Sequence, residues 1–391
     1  MPRIVVVGAS LAGLRAAEAL RRHGSTAEIV VIGDEPHLPY DRPPLSKGVL
    51  LGRMEPQGVH LTTEEKLAED DIQVRLGVPA AGLDPAAHTV TLADGEVITY
   101  DQVIIATGSR ARTLAGSDLD GVFVLRTLDD ALALRNALAD GPRVVVLGGG
   151  VIGAEVASSA RQLGLDVTIV DLAPVLMQRV IGDVIGERMA QLHRENGVVL
   201  RLGVASASIV GDGRVEGVLV EGETIPADVV VLGIGAVPNV EWLADSGLTV
   251  EDGIVCDEHL CAAPDVYAVG DVARWHHSGY GTKLRAEHWT TAVEHADAVA
   301  RTLTGTPATV GSVPYVWTDQ YGKKLQIAGR LNAGDELVFV LDQDEPRRFV
   351  AVSGSNGTQH AAIAFAAPPA FIKQSQAMAS GQAVWPPPAS D

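Results

Sequence analysis

Two glycine-rich turns constrain this sequence more than anything else in it: GASLAG at Gly8 to Gly13 and GGGVIG at Gly148 to Gly153, whose starts lie 140 residues apart. Each follows a short β-branched run, Ile4 to Val7 and Val144 to Leu147, and each opens into a stretch of helical character. Strand, glycine turn and helix in that order form a dinucleotide-binding fingerprint. The turn brings backbone close to a pyrophosphate, and the helix N-terminus faces its charge. Two such units predict two dinucleotides bound by one chain.

At 391 residues the chain exceeds what one hydrophobic core usually serves, so two or three domains are expected. With 30 Lys and Arg against 49 Asp and Glu, the net charge is −19. Nucleic acid is disfavoured as a partner, because phosphate contacts need clustered cations. No segment reaches the roughly 18 apolar residues of a membrane span, and the apolar N-terminal run leads into the Gly8 turn rather than a cleavage site. The two cysteines, Cys256 and Cys261, are too few for a disulfide framework. A cytoplasmic protein is expected, with no membrane partner and no metal site.

The fold class expected is α/β, with two Rossmann-like dinucleotide-binding domains and a small C-terminal α+β domain. Strand and helix signals alternate from Ile4 through Ile32, and again from Arg143 to Asp171. Asp94-Gly95 marks a hairpin between Val90 and Tyr100. Apolar runs at Gln102 to Ala106 and Asp228 to Ile234 end in Thr107-Gly108 and Gly235. Between Ser109 and Asp140 the chain is expected to cross over, with no element assigned. From Pro314 the texture changes to short alternating strands and a final helix, and the proline-rich tail from Trp385 reads as extended or disordered. The expected domains are 1–110 with 236–312, then 111–235, then 313–391.

In the first turn Ser10 stands where the fingerprint usually has its second glycine, while Gly8 and Gly13 keep the tight turn and the close helix packing. Asp34-Glu35, 21 residues past Gly13, falls where a ribose-binding carboxylate belongs; the alternative is a solvated turn. In the second turn all three glycines are present at Gly148, Gly150 and Gly153, and Asp171 follows 18 residues later. Asp171 suits an unphosphorylated adenosine ribose and repels a 2′-phosphate, so NADH is preferred to NADPH; Arg179 is the nearest cation.

With Pro39-Tyr40-Asp41-Arg42-Pro43-Pro44-Leu45-Ser46-Lys47, Thr107-Gly108, Leu125-Arg126-Thr127-Leu128, VYAVGD ending at Asp271, and Trp317-Thr318-Asp319-Gln320, nearly the whole chain resembles one flavoprotein family. It is that of the NADH-dependent ferredoxin and rubredoxin reductases of oxygenase systems, with a glutathione-reductase-like fold. The resemblance implies FAD at the first turn and NADH at the second. It places Arg42 and Lys47 at the flavin, Lys47 near the reactive ring edge, where a positive charge is useful. It places Glu155 near the nicotinamide and pairs it with Lys47, making these two the candidate catalytic residues. The other role open to Glu155, on the first turn of its helix, is a favourable contact with the helix dipole. Asp271, with Gly270 before it, is implied at the ribityl chain. Ala12, Val78 and Arg126 are further FAD contacts. Val151 and Ile152, Gly235, Glu287, His288, Trp289 and Trp317 complete the set; both tryptophans could equally be core.

Flavoprotein disulfide reductases carry two cysteines where this chain has Pro43 to Gly48, and no cysteine is present there. Cys256 and Cys261 are expected to be small buried hydrophobes. Without a dithiol, electrons are expected to leave a flavin singly, for a ferredoxin-type iron–sulfur protein. That encounter is expected to be weak and transient, through a local basic patch drawn from Arg301, Lys323, Lys324, Arg330, Arg347 and Arg348. The competing readings are an NADH oxidase or small-molecule reductase, and a redox-responsive binding protein resembling apoptosis-inducing factor.

Overall fold

A computed structural model describes residues 1–343 and 347–387, and the chain divides into two compact units. The first comprises Met1–Asp41, Val59–Arg110 and Val237–Pro314; the second comprises Arg42–Gly58, Ala111–Ala236 and Tyr315–Asp391.

The first unit is built on a six-stranded sheet ordered Cys261–Ala263, Val266–Ala268, Gln102–Ile105, Arg3–Val7, Glu28–Ile32, Ile72–Arg75. All neighbours except the first pair run parallel. Strands buried on both faces have no solvent side to alternate toward, which is why they read as continuous Val and Ile runs. The Leu11–Arg22 helix packs against the Trp289–Leu303 helix. Register sets Val7 beside Ile32 and Ile105, and Ile105 beside Ala268. The Gly8 turn, Asp34, Thr107-Gly108 and Gly270-Asp271 therefore all emerge at the carboxyl edge of one parallel sheet, where ligands of such sheets bind.

The second unit repeats the plan. Its five parallel strands are ordered Val199–Leu202, Val167–Asp171, Val144–Leu147, Val229–Leu232, Val122–Val124. A second, antiparallel sheet follows the order Tyr315–Gln320, Lys323–Gly329, Thr358–Phe365, Arg348–Ser355, Glu336–Gln343 and is flanked by the Pro368–Ala379 helix. Ile327, Phe349, Ile363 and Phe365 of this sheet share a core with Ile181, Ile185 and Met189 of the Gln178–Glu195 helix.

One segment left unassigned is filled in, and two expectations need correction. The segment between Ser109 and Asp140 is structured, with strands Ser109–Ala111 and Val122–Val124 and the Leu128–Leu138 helix. That helix starts at a capping box in which Thr127 and Asp130 satisfy each other's backbone N–H groups. Trp385 does not begin an extended tail: it is 8% exposed, and its ring lies so close to Gly354 that a Cβ there would sit 2.8 Å from it. The rest of the proline tail, 388–391, lies outside the described residues. Finally, Glu155 is not on the first turn of its helix. The helix runs Val151–Gln162, so Glu155 is its fifth residue and lies beyond the reach of the N-terminal dipole.

Candidate functional site

The two glycine turns superimpose in their constraints. Gly8 and Gly148 have φ of +123° and +101°, a region only glycine enters freely. A Cβ on Gly13 would lie 1.9 Å from the Gly8 carbonyl oxygen and 3.2 Å from Val6 Cγ1; on Gly153 the distances to Gly148 O and Val146 Cγ1 are the same. The middle position differs. Ser10 and Gly150 are both extended (φ −120° and −71°), so the position needs little room for a side chain but no special backbone. That is why Ser10 is accommodated.

Each turn ends in a helix N-terminus whose first amides find no partner from a capping side chain. Neither Leu11–Arg22 nor Val151–Gln162 has an acidic residue in its first turn. The Glu64–Glu69 and Leu128–Leu138 helices are the opposite case. Thr63 and Thr127 cap them, and Glu64, Glu65, Asp129 and Asp130 fill their first turns. Helices that cap themselves leave nothing for an anion; these two leave their amides and their dipole to one. The donor set thus fits two pyrophosphates, with Leu11, Ala12 and Gly13 offering amides in one turn and Val151, Ile152 and Gly153 in the other.

Within the first unit, Asp34 is exposed at the strand end, and Glu35 accepts a hydrogen bond from Tyr40 Oη. Val78 N–H donates to Gly33 O at 2.9 Å. Thr107 and Asn239 clasp each other, Thr107 Oγ1 donating to Asn239 O at 2.8 Å and Asn239 Nδ2 donating to Thr107 O at 2.9 Å. Gly270 takes φ +72°, and a Cβ there would lie 2.9 Å from Ala12 Cβ. Ser109 Oγ donates to Asp271 Oδ2 at 2.9 Å. Beneath, His295 is fully buried and its Nδ1 accepts from Gly270 N–H at 3.2 Å. Burial pushes its pKa down to about 3, so it is a neutral prop for the backbone leading into Asp271. Trp289 Nε1 donates to Asp41 Oδ1 at 2.8 Å, Glu287 pairs with Arg285, and His288 Nδ1 is buried without a partner among the described residues. Burial lowers the His288 pKa.

Within the second unit, Asp171 holds the turn as well as ending a strand. Its Oδ2 accepts from Gly149 N–H and its Oδ1 from Ala173 N–H at 2.8 Å. A carboxylate has further lone pairs, so capacity for ribose hydroxyls remains. Arg179 is exposed near the start of the Gln178–Glu195 helix. Gly235 has φ +100° with open space at the Cβ position. Arg42 Nη1 donates to the Arg126 carbonyl, directly before the Thr127 cap.

Lys47 lies in a single π-helical turn, Leu45–Val49, a type of distortion frequent at functional sites. Its Nζ donates to Pro43 O at 2.9 Å and to Glu155 Oε2 at 2.7 Å. Glu155 is 2% exposed, and Ser46 Oγ, Lys47 Nζ, Thr318 Oγ1 (2.6 Å) and Asp319 N–H (3.2 Å) all donate to it. A buried carboxylate tolerates its charge only when compensated in this way. Trp317, on the same strand as Thr318, stacks on Tyr315 at 5.7 Å with Lys324 Nζ 5.5 Å from its ring. Ser46, Thr318 and Gln320 stood inside motifs read from the sequence but were given no role there, and Asn239 and His295 were not singled out. All but the half-buried Asn239 are buried polar groups.

Cys256 is buried, Cys261 is partly exposed, and both thiols are free. Burial pushes the Cys256 thiol up to about 12, which leaves it unreactive. Among the candidate cations, Arg347 is paired with Glu195 at 2.8 Å, and Lys324 lies 3.9 Å from Asp319. No helix among the described residues is long and apolar enough to cross a membrane.

Comparison with known proteins gives concordant matches. Residues 2–296 match the family model of pyridine nucleotide-disulphide oxidoreductases, and residues 315–391 match a reductase C-terminal domain. Rhodocoxin reductase of Rhodococcus erythropolis is 42% identical over 343 residues, covering 86% of this chain and 80% of the relative. The ferredoxin reductase for the CYP199A2 system of Rhodopseudomonas palustris superimposes with a TM-score of 0.95 at 34% identity, over 100% of this chain and 98% of the other. Putidaredoxin reductase in its covalent complex with putidaredoxin gives a TM-score of 0.92 at 33% identity, over 97% and 93% of the two chains.

Proposed function

Since the chain belongs to the pyridine nucleotide-disulphide oxidoreductase family, we propose that it is an FAD-containing, NADH-dependent ferredoxin reductase that passes single electrons to a ferredoxin-type iron–sulfur protein serving an oxygenase. The observation that carries this reading is the repeated glycine turn, one to each unit, opening a helix whose N-terminal amides are left uncapped. The Gly8–Gly13 turn, Asp34 or Glu35, and Asp271 are assigned to FAD; the Gly148–Gly153 turn and Asp171 are assigned to NADH. FAD, when bound, supplies a two-electron acceptor that can release its electrons one at a time.

The protein's share is binding, orientation and charge. Gly8 and Gly13 hold the first turn tight, Ser109 and His295 fix Asp271 and the backbone before it, and Asp171 keeps the second turn closed while discriminating against a 2′-phosphate. Lys47, held by Pro43 O and Glu155, offers a fixed ammonium in the segment where disulfide reductases have their cysteines. With no thiol in that segment, electrons leave for an external carrier. The named relatives, reductases of rhodocoxin, putidaredoxin and a P450-system ferredoxin, support that choice. Docking through Lys323, Lys324, Arg330 and Arg348 would be weak, because these few cations act against a net charge of −19. We place the protein in the cytoplasm, where two free thiols are at home.

The test is anaerobic stopped-flow spectroscopy. Purified protein should carry FAD, NADH should bleach it within one turnover time, and oxidised ferredoxin should restore the colour. Protein that NADPH reduces faster than NADH, or that holds its electrons against every iron–sulfur carrier, would overturn the proposal.

A further inference from the structure

Glu155 is the end point of a hydrogen-bond chain whose every direction can be deduced. Thr318 Oγ1 lies 2.6 Å from Glu155 Oε1, a contact that needs the hydroxyl proton between the two oxygens. Having one proton, that hydroxyl can only accept from its other neighbour, Gln320 Nε2, at 3.2 Å. Gln320 then presents Oε1 to His193 Nε2 at 2.9 Å, so Nε2 carries the ring proton. His193 Nδ1, left bare, accepts from Tyr321 Oη at 2.9 Å. Burial agrees with these assignments. His193, with no exposed surface, has its pKa pushed down to about 4 and is neutral, and burial raises the Tyr321 phenol, which stays protonated. All the donors point one way, from Tyr321 to the carboxylate.

We propose that Tyr321, His193, Gln320 and Thr318 are positioning residues that hold Glu155 oriented toward Lys47, so that the place and charge of the Lys47 ammonium are set through four successive hydrogen bonds. The inference rests on the reading of Lys47 as part of the electron-transfer site. The other polar groups facing Glu155 fit this role. Lys47 and Ser46 come from the π-helical turn, and Asp319, with Lys324 beyond it, from the neighbouring strands. Asp171, on the Val167–Asp171 strand, is engaged with Gly149 and Ala173, and Val144–Leu147 brings no titratable group.

Polarity is the property to break. In Gln320→Glu the new carboxylate has the shape of the amide but accepts from both Thr318 and His193, so Glu155 loses its Thr318 proton. In Tyr321→Phe, His193 is free to change tautomer and Gln320 to turn over, with the same loss at the far end. The holoenzyme is examined in two ways: the visible absorption band of bound FAD is titrated with pH without turnover, and kcat and KM for NADH are measured across pH. Both variants should fold with full FAD content and show the acid-side transition of the band, and of kcat, moved up by about one pH unit, as expected for one lost charge-assisted hydrogen bond. KM for NADH should stay within about twofold. Thr318→Val should behave like Gln320→Glu, and Thr318→Ser should restore the wild-type profile. Should Gln320→Glu fail to fold, Tyr321→Phe at the outer end carries the test. Wild-type titrations in well-folded Gln320→Glu and Tyr321→Phe overturn the chain. A wild-type protein that NADH does not reduce overturns the functional reading instead, and the band titration still separates the two.

Discussion

Adding one methyl group to each glycine turn should separate the two nucleotide assignments. In Gly13→Ala and Gly153→Ala the new Cβ sits 1.9 Å from a carbonyl oxygen of its own turn, Gly8 O or Gly148 O. That is roughly 1.5 Å short of van der Waals contact, and the obstacle is backbone that no rotamer change can move. The helix start must retreat by about that much, and amide-to-phosphate hydrogen bonds that need about 2.9 Å are lost. Two charge-assisted bonds at about 1.5–3 kcal/mol each amount to roughly 3–6 kcal/mol, or about a hundredfold to about twenty-thousandfold in affinity. The turns are identical in this respect, so the two variants differ only in which nucleotide they affect. Gly13→Ala should purify with little FAD, read as the ratio of visible to 280 nm absorbance. Gly153→Ala should keep its FAD and show a KM for NADH raised at least a hundredfold. FAD depletion in Gly153→Ala with retention in Gly13→Ala would refute the assignment; unchanged behaviour in both would refute the steric argument itself.

Asp171→Asn turns an NH₂ group against a backbone N–H at Gly149 or Ala173, so KM for NADH should rise about tenfold or more while the NADH-over-NADPH ratio in kcat/KM falls. Steady-state kinetics with both cofactors checks it, and an unaltered ratio would remove Asp171 from the ribose site. His193 and His295 are buried and neutral with pKa values near 4 and 3, below the unfolded value of about 6.5. Between pH 6.5 and 4 the unfolded chain takes up protons that the native protein refuses. Each histidine should then remove about 1.4 kcal/mol of stability per pH unit as pH falls through that window. Urea unfolding at pH 7 and pH 5 should show the loss, and His193→Gln should lose less; a flat profile would contradict it. Trp385→Ala removes a buried indole packed on Gly354 and should cost about 3–5 kcal/mol, seen as a lower thermal midpoint, whereas a tail that was extended would leave it unchanged.

Several parts of the site were legible in the sequence because they depend on local geometry alone. A positive φ at Gly8 or Gly148 and the missing Cβ at Gly13 or Gly153 are properties of six consecutive residues. The Thr127–Asp130 capping box was equally local, yet its helix lies in the crossover to which no element was assigned, because the Leu128–Leu138 sequence lacks a clear apolar stripe. Lys47 and Glu155 were picked out by resemblance, but their partners were not. Thr318 and Gln320 sit on alternate positions of one strand, and only the packing of that strand onto the Val151–Gln162 and Gln178–Glu195 helices makes their shared face a buried one.

The sequence by itself determined that two dinucleotide turns exist, where each begins, and that no thiol pair lies in the Pro43 to Gly48 segment. These follow from residue type and short spacing. Resemblance implied the pairing of Lys47 with Glu155; tertiary structure alone decided that the carboxylate is buried and that Ser46, Thr318 and the Asp319 N–H converge on it as well. The physical reason is that a buried carboxylate, unlike a backbone turn, is stabilised by partners the fold supplies: donors from two distant segments, Ser46-Lys47 and Thr318-Asp319, meet at Glu155.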